Sequence, residues 1–260
     1  MKKQIAKTIF INSFQKEIRN KTFWVLLVSS VLVMIAGRSF FKAISLQFNP
    51  TGLPQLDLYF YYFISSVWTG LMTALLGMNC LKSDTRYGLA EQILAFPIRS
   101  ENYLFLRIAG TTLMVWFFHL ILYFMMAAFL IHSPTFPINL SSILALLVTA
   151  LSIFAVTTIA SFWSILFGQI SGFIVLFFSL ALISFVNKNI GQLDFLYYIG
   201  HLVHWLLPHL GILAKISSDL VFEQKVSDDV RLWIEIPHFI FSMGFLFWGT
   251  HFIFKKRGFK

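Results

Sequence analysis

Six stretches of this chain each hold about twenty largely apolar residues, the length that a helix rising 1.5 Å per residue needs to cross the hydrocarbon of a bilayer. They run over about 22–41, 58–81, 103–131, 140–167, 169–186 and 236–254. Charged residues make up 12% of the 260 positions and hydrophobic ones 58%. A soluble domain carries about 25% charge, so the apolar surplus has to face lipid rather than a single water-excluded core. The expected fold is an all-α integral membrane protein, a single domain over 1–260 with six transmembrane helices.

The joints between the segments set the order of the helices. Only Gly168 and Gln169 separate the fourth and fifth spans, which predicts a tight antiparallel hairpin. Pro- and Gly-containing breaks at 48–54 and 133–137 separate the first pair and the third from the fourth. The chain shows no internal repeat and no low-complexity tract.

Basic residues set the orientation, because Lys and Arg beside a span are retained in the cytoplasm. With the N-terminus inside, fourteen of the 20 Lys and Arg fall on the cytoplasmic side, while seven of the 11 acids fall outside. Both termini and the 82–99 loop are then cytoplasmic, in a plasma (cytoplasmic or inner) membrane. The net charge of +9 is explained by this asymmetry. No basic stripe interleaved with aromatics lies outside the apolar segments, so nucleic acid is not an expected partner.

Residues 4–21 combine an apolar stripe at Phe10, Ile11, Phe14 and Ile18 with basic residues, Lys16, Arg19 and Lys21 among them, and a single acid, Glu17. That pattern predicts a helix lying on membrane lipid headgroups, with Phe10, Phe14, Glu17, Arg19 and Lys21 as its anchor. A signal peptide is the alternative, but the basic region is long and amphipathic and no small-x-small cleavage site follows.

The longest polar interruption of the first half runs from Leu81 to Arg107. Ser83 can cap a helix and Pro97 ends one, which leaves about three turns over 84–96. At 100° per residue Asp84, Gly88, Glu91, Gln92 and Ala95 share one face, and Leu89, Ile93 and Phe96 the opposite one. A glycine inside a helix costs roughly 1 kcal/mol against alanine, so Gly88 is easiest to understand where another surface approaches the backbone. The stretch reads as a short docking helix.

The segment 187–235 is long and half-apolar, interrupted by Gly200, Pro208 and Gly211. It suits either helices lying in or dipping into the membrane or a packed ectodomain. His201, His204 and His209 cluster within it, the first two at i, i+3. As a metal set they lack a carboxylate or Cys nearby in sequence, and interfacial His beside Tyr and Trp more often anchors to headgroups, so no metal site is expected. His119 and His251 lie within spans, where with no intramembrane Asp or Glu to relay a proton they read as satisfied packing groups rather than a proton path.

Enzyme chemistry finds little footing. The Ser-rich fourth span (Ser152, Ser161, Ser164) lacks a Gly-x-Ser-x-Gly turn, and small residues there are expected to mark helix contacts. There is no Walker A loop. The single Cys80 excludes an intramolecular disulfide and a thiolate cluster.

The 84–107 stretch resembles the coupling region of permease subunits of type-2 (ABC-2) ABC exporters. There the second and third spans flank a cytoplasmic helix of the form acidic-x-x-x-Gly-Thr-Leu-Glu-x-Leu-Leu-x-x-Pro-Val-Ser-Arg, followed by a basic residue entering the third span. Asp84, Gly88, Glu91, Ile93, Leu94, Pro97, Ile98 and Arg107 match it; Leu89 and Ala90 depart, and Arg99-Ser100 reverses the Ser-Arg pair. Glu17, Arg19, Lys21 and Phe23 resemble the order before the family's first span, and 206–210 loosely resembles the approach to its last.

The resemblance implies an export permease that is not itself an enzyme. ATP and Mg would be bound by two copies of a separate ABC ATPase, with no cofactor on this chain. A second permease chain, identical or a close paralogue, would complete the complex. Asp84, Gly88, Glu91, Gln92, Pro97 and Arg99 would couple to the ATPase, and the cargo would be amphipathic or hydrophobic. Alternatives are a similar permease serving cofactor, haem or metalloprotein maturation, an unrelated six-span carrier, or a membrane enzyme.

Overall fold

The computed structural model describes residues 2–48, 54–81, 84, 99–131, 139–189, 205–227 and 230–257. The regular elements among them are all helices: α1 Lys2–Ile18, α2 Lys21–Phe48, α3 Pro54–Cys80, α4 Ser100–Phe129, α5 Leu140–Phe167, α6 Gln169–Asn189, α7 Leu210–Phe222 and α8 Leu232–Arg257. Five of these, α2, α3, α4, α5 and α8, are long and apolar enough to cross a membrane. The described apolar part of α6, Gln169–Ala181, is shorter, so the expected sixth span is met by a helix but not by that criterion.

Helix α4 is the axis of the bundle. At 30 residues it is about 45 Å long, more than the roughly 30 Å of hydrocarbon it would cross, so its ends reach headgroup level. It packs against α1, α2, α3, α5 and α8. Its buried line, including Leu104, Ile108, Met114, Phe118, Leu122 and Met126, continues from one end to the other. Helix α2 is the opposite case: Trp24, Val25, Val28, Leu32 and Ile35 stay exposed, an apolar face suited to lipid.

Close approach in this bundle depends on small residues, as it does wherever helices meet without a hydrophobic drive between them. A Cβ at Gly77 of α3 would stand 2.8 Å from Ala160 Cβ and 3.3 Å from the Thr157 backbone of α5. Ser161 Oγ donates to Gly77 O at 3.2 Å across the same contact, so the Ser-rich span does mark a helix contact there. At Gly110 of α4 a Cβ would meet Ser13 Cβ of α1 at 2.7 Å.

The α5–α6 joint is a reversal at Gly168, whose φ of 93° lies in the region that glycine favours. Its N–H donates to Ser164 O at 3.0 Å and its carbonyl accepts from Gly172 N at 2.9 Å, so the two helices abut with no loop. At the other end of α5, Asn139 caps the helix by accepting from Ser142 N at 2.8 Å.

Helix α1 is docked more firmly than a helix resting on headgroups. Ile9, Ser13 and Glu17 are buried against α4, and Phe14 meets Phe117 edge-on at 6.4 Å. Phe10 is half-buried, whereas Arg19 and Lys21 are exposed. The helix ends at Ile18, short of the expected 21, because Asn20 Oδ1 accepts from Thr22 N at 3.1 Å and starts α2.

Helix α7 settles how the described part of 187–235 packs. Ser217 Oγ donates to Ala145 O at 3.3 Å and bonds Thr149 Oγ1 at 2.9 Å, while Ser141 Oγ donates to Gln224 O at 2.9 Å. Ala145 and Thr149 lie about 8 and 14 Å along α5 from its start at 1.5 Å per residue. The helix therefore runs alongside α5. Asp219 fastens the turn that follows, accepting from Ser227 Oγ at 2.6 Å.

Paired substitutions test the small-residue contacts. Gly70→Ala, where nothing lies within 4 Å of a new Cβ, should gain up to about 1 kcal/mol from helix propensity. Gly77→Ala carries the same gain but overpacks against Ala160 and Thr157, and should fall about 1–3 kcal/mol below it. Thermal unfolding in detergent measures the difference; equal stabilisation by both would mean the α3–α5 contact is looser than described.

Candidate functional site

Where α3 ends and α4 begins, the chain buries a group of opposite charges. Asp84 follows the last turn of α3 and is held there by its N–H donating to Leu81 O at 3.1 Å. Tyr103 and Arg107, at i and i+4 on α4, share a face and converge on it. Tyr103 OH donates to Asp84 Oδ2 at 2.6 Å and Arg107 Nε to the same oxygen at 2.7 Å. Arg107 Nη2 reaches Oδ1 at 3.3 Å, which makes the guanidinium a fork over the carboxylate. Lys16 of α1 donates to Oδ1 at 2.7 Å. Glu17 Oε1 of α1 stands 3.8 Å from Arg107 Nη2. Arg107 and Glu17 are each 3% exposed, Lys16 41%.

Two cations therefore balance two anions where one alone would be untenable, since a buried ion left unpaired costs several kcal/mol. Burial works against the Asp84 carboxylate, but Arg107 and Lys16, with hydrogen bonds from Lys16 and Tyr103, outweigh it and hold its pKa below the ordinary value. At Glu17 burial wins over Arg107, Lys16 and Asn20, and the pKa is raised. Cys80 lies beneath the group, buried, accepting from Thr111 Oγ1 at 3.4 Å. Phe254 at the far end of α8 stacks on Tyr103 with ring centres 6.0 Å apart and closes the node on that side.

Of the residues expected to act in coupling, Asp84 is the one the structure places at the centre of a site. Arg99 precedes α4 and is exposed. Gly88, Glu91, Gln92 and Pro97 lie outside the described residues, as do His201 and His204. Glu17, expected as a headgroup anchor, instead faces Arg107. Lys16 and Tyr103 carry no signal in the sequence beyond the i, i+4 pairing of Tyr103 with Arg107. Arg107 itself is a charge inside an apolar run, a flag for function that counting it as a flanking residue hides.

A second feature lies further along the bundle. Tyr62, Ser66, Thr69 and Thr73 form one stripe of α3 that faces Thr149 and Ser152 of α5, Ser217 of α7 and His119 of α4 across a cavity of about 170 Å³. No acidic or basic side chain apart from His119 lines it. The hydroxyls are largely spent within the protein: Tyr62 OH donates to Ser217 Oγ at 2.9 Å, Thr69 Oγ1 bonds His119 Nδ1 at 2.9 Å, and Thr73 and Ser152 donate to carbonyls one turn back in their own helices. His119 is thus the packing group its sequence setting suggests. His251 is another, 2.9 Å from Ser100 Oγ.

Comparison of the chain with protein-family models, with curated proteins and with solved structures finds no match. What the fold and the two features define is a class: an all-α, multi-pass membrane protein. In it a buried charge node ties the N-terminal helix to the start of the 84–98 stretch, and a hydroxyl-lined cavity opens between the spans.

Asp84→Asn leaves Arg107 and Lys16 facing a neutral amide, and should lower stability by about 3–5 kcal/mol, the cost of breaking a buried pair from one side. Glu17→Gln should cost much less at neutral pH, because it removes a carboxylate that burial disfavours. The pH dependences run in opposite senses. Asp84, with its lowered pKa, stabilises above the ordinary carboxylate range and loses this as pH falls through that lowered value. Glu17, with its raised pKa, contributes most when protonated and loses this as pH rises through the raised value. Unfolding curves at several pH values should therefore show Glu17→Gln flattening the slope just above the ordinary Glu range, and Asp84→Asn flattening the acid limb. The reverse assignment would refute these environments.

Proposed function

We propose that the chain is the transmembrane permease subunit of an ATP-driven exporter of the type-2 ABC class, moving an amphipathic or hydrophobic cargo by alternating access. One observation carries the reading: Asp84, the first residue of the expected coupling helix, is bound by side chains of both α1 and α4. A force applied to 84–96 would reach the N-terminal helix and the central span together, which is what coupling to a separate motor requires. The motor is an ABC ATPase in two copies, holding ATP and Mg, and a second permease chain completes the complex. The membrane is the plasma (inner) membrane, with both termini cytoplasmic.

The hydroxyl-lined cavity fits a pathway in its closed state. Pockets that take drug-sized ligands measure about 300–1,000 Å³, and this one is well below that, so cargo of the proposed kind requires α3, α5 and α7 to separate. A second reading, a permease serving maturation of a metallo-cofactor or haem protein, is favoured by the meeting of His209 with Glu235 at 2.8 Å.

Co-expression with a candidate ABC ATPase, sought first in the reading frames adjacent to the gene for this chain, tests the proposal. Gly88→Trp and Glu91→Lys should each reduce copurified ATPase at least tenfold. Opposing a buried charge in an interface costs about 2–5 kcal/mol, and 1.4 kcal/mol is one decade of affinity. Leu89→Ala, on the opposite face, should recover the ATPase at near the wild-type level per folded permease. Wild-type recovery with Glu91→Lys and loss with Leu89→Ala alone would reject the docking face. In whole cells a cysteine at Asn139 should react with an impermeant maleimide and one at Lys2 should not; labelling at Lys2 would overturn the orientation.

A further inference from the structure

At the end of the bundle away from Asp84, three groups able to bind a metal meet where the start of α7 touches the first turns of α8. His209 directly precedes α7 and its side chain makes no capping bond to that helix; it turns instead to α8, with Nδ1 2.8 Å from Glu235 Oε2. Glu235 and His238 are spaced i, i+3 on α8, the Glu-x-x-His spacing that puts a carboxylate and an imidazole on one helix face. One donor atom from each of the three residues lies within 4.8 Å of the others. Both imidazoles are buried, 5% and 4% exposed, and the carboxylate is 17% exposed. Trp205 packs edge-on to His238 with ring centres 5.6 Å apart.

We propose that His209, Glu235 and His238 form a binding site for a divalent transition metal of the Zn²⁺ type, with a coordination position left for water or a further ligand. The donor set decides the class of metal. Two imidazoles and one carboxylate suit Zn²⁺ and its neighbours, whereas Mg²⁺ and Ca²⁺ select oxygen ligands. Distances of about 2.0–2.1 Å to each donor in a tetrahedral arrangement put donors roughly 3.3 Å apart. The His209–Glu235 pair has to open by about half an ångström from its hydrogen-bonded 2.8 Å, and no donor separation has to close by more than about 1.5 Å. The two imidazole rings lie 3.8 Å apart and 17° from parallel. An imidazole lone pair lies in the plane of its ring, so two near-parallel rings do not aim at a single point, and binding turns one of them. The metal then replaces a hydrogen bond and a ring stack with a three-point tie between α7 and α8. The sequence hides this set because Glu235 and His238 are supplied from α8, more than two dozen residues beyond His209. This inference holds whether or not the chain is a permease, since it rests on the α7–α8 contact alone.

The test uses the full-length chain purified in detergent, stripped with a chelator and titrated with Zn²⁺ against a chromophoric competitor, with Co²⁺ as a spectroscopic substitute. One Zn²⁺ per chain should bind, the unfolding temperature should rise with it, and Co²⁺ should give the strong visible absorption of a tetrahedral site. Glu235→Gln keeps a hydrogen-bonding partner for His209, and so the fold. It should weaken binding at least tenfold and abolish the thermal shift. Glu235→Cys should restore binding and add thiolate-to-Co²⁺ charge-transfer absorption, a signal that a purely structural hydrogen bond cannot give. Absence of saturable Zn²⁺ binding would leave a hydrogen-bonded tie only and overturn the proposal. So would binding that survives Glu235→Gln unchanged, including the case in which His201→Gln with His204→Gln is what removes it.

Discussion

A carboxylate and a guanidinium buried together between the end of α3 and the first turns of α4 dominate this structure. In water two unit charges 4 Å apart attract by about 1 kcal/mol; at an effective dielectric near 20 the figure is about 4 kcal/mol. The same exclusion of water makes each ion costly alone, so Asp84 and Arg107 are tolerated only as partners. Their geometry is demanding: a forked guanidinium, a phenol and an ammonium all converge on one carboxylate. That convergence fixes the order of the surrounding helices. The N-terminal helix has to lie where Lys16 and Glu17 reach the node, α3 has to end one turn before it, and α8 has to bring Phe254 against Tyr103.

Away from the node the forces are weaker and more evenly spread. Lipid removes the hydrophobic drive between spans, leaving van der Waals contact and hydrogen bonds to hold them. Gly77 and Gly110 let backbones approach where side chains would keep them apart, and Ser161 adds one hydrogen bond across the closest contact. The α3–α5–α7 face, by contrast, encloses a cavity, with Tyr62, Ser217 and Thr149 hydrogen-bonded in a row along its wall. Tight contact at Gly77, about one turn beyond Thr73 at the end of the cavity wall, is an arrangement in which one end of the interface can part while the other holds.

Much of the fold could be read from the chain because hydrocarbon thickness turns length into a signal. Five helices fall where the apolar runs predict, and the α5–α6 reversal sits at the Gly168 that announced it. The docking of α1 was less legible: its apolar stripe is the same whether it faces lipid or α4, and only the buried Glu17 distinguishes the two. Arg107 looked like a flanking charge because sequence alone does not show how far beyond the hydrocarbon a 30-residue helix extends. Asp84 stands out in the sequence through its place at the head of a motif, not through its partners, since Lys16 is 68 positions away. The His209 cluster shows the same limit, for no local pattern joins the start of α7 to Glu235 and His238.

Asp84 and Arg107 tie the helices together only if they act as a unit. The most direct measurement is a double-mutant cycle of Asp84→Asn and Arg107→Met, read by unfolding of the purified chain in one detergent at one pH. Coupled partners in a buried network give interaction energies of about 0.5–3 kcal/mol, and this pair should lie at the upper end, the double variant being nearly as stable as the worse single one. Losses that add to within about 0.5 kcal/mol would show two independent residues and contradict the account.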